Sequence, residues 1–163
     1  MIELLDHGHV RLVEHMGSDL SIVRAARVSY NAAPRGDGSD AKLIRYLWEH
    51  NHTSPFESVN FVWDVKCPIF VARQWMRHRT WSYNEVSGRY TALPAEFYVP
   101  ALDQITTQSA SNKQMRTDEQ HPKADMLREL ISRECEDAFV SYQELIGLGC
   151  PRELARGVLP LNT

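Results

Sequence analysis

The sequence predicts an α/β fold of the α+β type, a single domain spanning 1–163. In it an antiparallel or mixed sheet is packed by a long helix near 124–147. Two patterns predict it. Residues 58–66 alternate apolar and polar side chains, the period of a half-buried strand. Leu127, Leu130, Ile131, Ala138, Phe139, Tyr142, Leu145 and Ile146 recur at helical spacing over about five turns. The 163 residues lie within the size of one domain and can bury a core without disulfides or metal.

In chain order, residues 2–16 mix short apolar stretches with His7, His9 and His15, and read as one or two short strands. Leu20, Val23, Ala26 and Val28 predict a short helix from Asp19 to Ser29. Pro34, Gly36 and Gly38 mark a loop over 31–40. Ala41, Ile44, Leu47 and Trp48 then give a helix with one buried face. In the strand that follows, Val59, Phe61, Trp63 and Val65 are the apolar set, and Val62 is the only break. Pro68 suits the start of a helix, which Ile69, Ala72, Trp75 and Met76 continue. Residues 91–123 read as irregular, with Pro94, Pro100, Pro122 and a polar run from Thr106 to Gln120. Loops of that length are usually functional or mobile. Gly147, Gly149 and Pro151 end the long helix, and a short helix follows from Arg152 to Leu159.

Composition excludes several classes. Hydrophobic residues make up 43% and charged residues 24%, which argues against a disordered or collagen-like chain. Net charge is −3, so nucleic-acid binding would need a local basic patch. No apolar run approaches the ~18 residues of a membrane span. The N-terminus lacks the basic flank and apolar core of a secretory signal. Cys67, Cys135 and Cys150 form no CxxC pair, and read as reduced, partly buried thiols of a cytoplasmic protein. His7, His9, His15, His50 and His52 have no HExxH context and no accompanying cysteines, so no metal is expected.

The segment that carries chemistry is Arg73 to Tyr90, RQWMRHRTWSYNEVSGRY. Four arginines and His78 stand against a single acid, Glu85. Gln74, Ser82, Asn84 and Ser87 are interleaved, as are Trp75, Trp81, Tyr83 and Tyr90. Arginine presents a planar fork of donors that matches phosphate oxygens. Gly88 lets backbone amides approach an anion closely. Ser87 lacks a GxSxG elbow and reads as a donor to phosphate or base edge, not as a nucleophile. These residues leave two readings open, nucleotide binding and single-stranded nucleic-acid binding. The acidic overall balance favours the small ligand, because extended nucleic acid needs a larger positive footprint.

Residues 77–90 resemble the RHRxxSxNExSxRY signature of the flavin-dependent thymidylate synthases, with nine identities in fourteen positions. Leu20 to Ser29, His52 to Glu57, Pro68 to Trp75, Asn112 to Gln114, Ala155-Arg156 and Leu159 to Leu161 also resemble segments of that family. The resemblance implies that family's fold and its reaction, reductive methylation of dUMP to dTMP. Methylenetetrahydrofolate donates the one-carbon unit, and FAD, reduced by NADPH, supplies the hydride. No cysteine nucleophile is used in that family. By motif position, Ser54, Arg77, His78, Arg79 and Glu85 would contact FAD, with His52 near the flavin. Gln74, Trp75, Met76, Arg77, Glu85, Val86, Ser87, Gly88, Arg89 and Arg156 would bind dUMP. Arg89 and Arg156 would clamp its phosphate, with Ser87 and the Gly88 amide as added donors.

The resemblance also implies a homotetramer with active sites between subunits, and no nucleic-acid or membrane partner. Chains of that family run on past the LPL segment into further helices. Those carry additional flavin contacts and the arginine that ionises the uracil, which would lie beyond Thr163. No catalytic residue is therefore assigned, and weak binding and slow turnover are expected of the 163 residues alone. The rival expectations are a nucleic-acid-binding module and a relative that keeps the dUMP site without flavin chemistry.

Overall fold

The structure, a computed structural model, describes residues 1–163. Its elements are β1 (Ile2–Leu4), β2 (Gly8–Met16), α1 (Asp19–Val28), α2 (Gly38–Glu49), β3 (Asn60–Lys66), α3 (Ile69–Trp75), β4 (Thr106–Gln108), β5 (Arg116–Gln120), α4 (Ala124–Gly147) and α5 (Arg152–Ala155). Short 3₁₀ turns span Ser54–Ser58, Leu102–Gln104 and Arg156–Val158. One sheet has the order β1-β2-β3, and β4 pairs antiparallel with β5. The mixed α/β class and the long helix are as expected. No helix is long and apolar enough to cross a membrane.

The chain divides into two compact units, Met1–Ile2 with Val10–Val65, and Glu3–His9 with Lys66–Thr163. In the first, α1 packs against α2 and the Ser54–Ser58 turn and buries Ile22 and Val23. Gly17 makes the entry to α1 possible. Its φ is +86°, and a Cβ there would sit 2.6 Å from the Ser58 carbonyl oxygen. Arg27 of α1 donates to Asp40 of α2 at 2.6 Å, and both side chains are largely buried. Asp40 also accepts the backbone N–H groups of Arg35 and Gly36 at 3.0 and 2.8 Å. The Arg27 bond, with the Gly36 N–H behind it, holds this carboxyl below the usual carboxylate range. Asp37 caps α2 by accepting the Ser39 N–H at 2.9 Å.

Two expectations about burial are corrected here. On α2, Leu47 is buried but Trp48 is 70% exposed and meets only the edge of Phe56, at 5.7 Å between ring centroids. On β3, the alternating pattern does form a strand, yet Phe61, Val62 and Trp63 are all exposed. Alternation fixes the strand period, but burial also needs a covering layer. Phe61 and Trp63 lie against each other instead, with centroids 5.8 Å apart.

In the second unit α4 is the spine. Ala124, Cys135 and Tyr142 are buried along one stripe, with Leu127, Ile131, Ala138, Phe139, Leu145 and Ile146 half-buried beside them. The helix packs against α5 and the Leu102–Gln104 and Arg156–Val158 turns. Gly149, at φ +84°, is the residue that ends it, with the Cys150 N–H bonded back to the Leu145 carbonyl at 2.9 Å. Gly147 stays helical. The region expected to be irregular holds the β4–β5 hairpin, pinned by Thr107 and Thr117 hydroxyls 2.6 Å apart.

The last residues of the chain complete α3. Pro68 precedes this helix and supplies no capping side chain. The first free N–H groups, of Ile69 and Phe70, bond instead to the carbonyls of Thr163 and Leu161 at 3.1 and 3.0 Å. Asn162 secures that tail by donating to the Tyr98 carbonyl at 2.8 Å and to Cys135. Cys67, next to this junction, is partly buried, and burial pushes its thiol up.

Candidate nucleotide site

The arginine-rich segment begins where α3 ends. Arg77 and His78 turn away at once, their N–H groups bonded to the carbonyls of Gln74 and Trp75 at 3.2 and 2.9 Å. Aromatic groups then fold the chain back. Trp81 meets Trp75 edge to face at 5.4 Å, and the Tyr83 hydroxyl donates to the Trp75 and His78 carbonyls at 3.0 and 3.1 Å. Gln74, Arg77, His78, Arg79, Glu85 and Val86 are left exposed, and Trp75 and Met76 sit at the helix end beside them. No carboxylate lies within ion-pair distance of Arg77 or Arg79.

A second turn follows at Ser87. Its carbonyl accepts the N–H groups of Tyr90 and Thr91 at 3.0 and 3.2 Å, and its hydroxyl accepts that of Arg89 at 3.3 Å. The turn is anchored by Leu93, whose N–H donates to the hydroxyl of buried Tyr142 at 3.1 Å. Gly88 is buried within it. A Cβ on Gly88 would lie 3.2 Å from Arg156 Cδ and 3.3 Å from Leu93 Cδ1. Residues nearly seventy positions apart therefore meet, and Ser87, Gly88, Arg89 and Arg156 form one cluster. Arg89 reaches Glu153 of α5 at 3.6 Å, with both side chains more than half exposed. The cluster offers two arginines, a hydroxyl and the Gly88 amide, a donor set for a phosphate group.

Ser54 belongs to the first unit. It lines a cleft of about 410 Å³ with Ser29, Tyr30, Tyr46, Leu47 and His52, a size within the small-molecule range. Tyr46 stacks on His50 at 4.0 Å between centroids, and His52 stands 6.3 Å from Tyr46. Sequence reasoning named Ser54 and His52 but missed Ser29, Tyr30 and Tyr46. Ser29 closes the LSIVRAARVS segment, which was the available signal. No group of three His, Cys, Asp or Glu side chains is placed to hold a metal.

The family described as thymidylate synthase complementing protein, Thy1, matches residues 11–163. The chain belongs to the Thy1 family. Over 99% of its length this Thy1 chain is 50% identical to a flavin-dependent thymidylate synthase of Treponema denticola, covering 61% of that protein. It is 47% identical to that of Gluconobacter oxydans, covering 54% of it. The chain thus spans between half and two thirds of the length of these relatives. Among solved structures, it superposes on the UMP/dUMP methylase PolB of Streptomyces cacaoi, bound with 5-Br dUMP, with a TM-score of 0.86. That pair is 40% identical, over 99% of this chain and 72% of the other.

Proposed function

We propose that this Thy1 chain binds dUMP and serves its reductive methylation to dTMP, with FAD as flavin, NADPH as reductant and methylenetetrahydrofolate as one-carbon donor. The observation that carries the reading is the packing of Gly88 against Arg156, which draws Arg89 and Arg156 to one turn. Two guanidiniums on a mononucleotide phosphate give charge and geometric match together. The Ser87 hydroxyl and the Gly88 amide add donors. Gln74 and Trp75 end α3, Met76, Glu85 and Val86 lie between it and that turn, and we assign all five to the nucleoside. Arg77, exposed in the same segment, favours negative charge on the uracil or the flavin by proximity.

Toward FAD we assign Ser54, Arg77, His78, Arg79 and Glu85. The cleft beside Ser54 suits such a group, with hydroxyls for phosphate and the Tyr30 and Tyr46 side chains in its wall for a ring. When bound, the flavin supplies the hydride. The chain's own residues hold and orient the ligands. A homotetramer in the cytoplasm, with active sites between subunits, completes the proposal.

The test is a titration of the purified chain with FAD and then dUMP, followed by visible absorption. Saturable flavin binding with a spectral change on adding dUMP supports the reading. A chain that ignores dUMP but grips single-stranded nucleic acid with a steep salt dependence sinks it.

A further inference from the structure

The phosphate cluster contains a group that cannot serve a phosphate. Glu153 lies 3.6 Å from Arg89, and an ionised carboxylate only accepts hydrogen bonds. Its placement is built in. Ala155, fully buried, anchors α5, and the Leu154 and Ala155 N–H groups close on the Pro151 carbonyl at 2.9 Å each. Arg156 follows directly and packs its Cδ over Gly88. One short segment therefore brings an acid and a base to the same turn. With the side chains of Arg89 and Glu153 55% and 57% exposed, the pair is weak and easily exchanged.

We propose that Glu153 is a positioning residue that acts as an internal counter-anion: it holds Arg89 while the cluster is empty and yields to a phosphate dianion. The inference rests on the reading of this cluster as the dUMP phosphate site. A dianion engages both arginine forks and displaces the single carboxylate. A nucleoside without phosphate has nothing to exchange with it. The device makes the site selective for the phosphorylated ligand and lowers its affinity for stray anions.

Calorimetric titration of the parent chain, Glu153→Gln and Glu153→Asp with dUMP, inorganic phosphate and deoxyuridine tests it, at low ionic strength. Glutamine keeps the shape and removes the charge. In Glu153→Gln, affinity for dUMP and for inorganic phosphate should rise about three- to fivefold. The gain should fade in about 0.5 M salt. Deoxyuridine binding should not change, and Glu153→Asp should stay near the parent. A purely supporting role for Glu153 predicts the opposite sign, because a loosened Arg89 binds less well. Unchanged or weaker binding of both anions by Glu153→Gln, beside normal dUMP binding by the parent, overturns the counter-anion and leaves the site reading intact. A rise in phosphate affinity with no dUMP binding by either chain keeps the counter-anion and removes the nucleotide assignment. Failure of every chain to bind either anion overturns both.

Discussion

Gly88 is the position where one added carbon does the most. Alanine there meets Arg156 Cδ and Leu93 Cδ1 at 3.2 and 3.3 Å, so the turn and Arg156 must part by a few tenths of an ångström. We expect Gly88→Ala to weaken dUMP binding about tenfold, or ~1.4 kcal/mol, with little change in melting temperature. An unaltered dissociation constant in a fluorescence titration would place the nucleotide elsewhere. Asp40 makes the pH prediction. Its carboxyl is held low by the Arg27 bond and then by the Gly36 N–H. Its stabilising contribution is therefore present above the unfolded value, near pH 4, and lost as pH falls through the lower folded value. Asp40→Asn should melt earlier than the parent at neutral pH, and the two melting curves should converge in acid. A difference independent of pH would rule out the charge as the cause. At this scale the motif arginines and Ser87 were legible as candidates, because their type and spacing suit phosphate chemistry. Glu153 and Tyr46 were not, because their relevance depends on which turn or ring the fold sets beside them.

Among the elements, α4 was legible to its bounds because its stripe repeats through 24 residues. The β4–β5 hairpin was not, because TTQ and RTDEQ show no apolar alternation and are held by hydroxyl and amide bonds. The strand β3 was legible in period but not in burial, since exposure depends on what lies over its face. Two substitutions probe how the elements are joined. Tyr142→Phe keeps the packed ring but removes the acceptor of the Leu93 N–H. It should cost ~1–2 kcal/mol in urea unfolding and loosen the turn enough to weaken dUMP binding severalfold. Stability and binding both at parent levels would mean that the hydroxyl does not anchor the turn. Asn162→Ala removes the donor to the Tyr98 carbonyl, and should lower stability by ~1–2 kcal/mol.

For the whole molecule, the charge balance and the motif pull in different directions: the chain carries −3 overall, and its arginine segment presents a local positive face. That contrast concentrates anions at one place without making the protein a general polyanion binder. The homotetramer we propose predicts a light-scattering mass near four chains of 18.7 kDa. A mass of one chain at micromolar concentration would refute it. One junction of the second unit reports on itself. The amides of Ile69 and Phe70 are bonded to carbonyls at the far end of the sequence, and the helix they open runs directly into the arginine segment. Their hydrogen-exchange rates thus measure how firmly residues 161–163 are docked. Two amide protons become a gauge of whether the helix that leads into the arginine segment is assembled at its start.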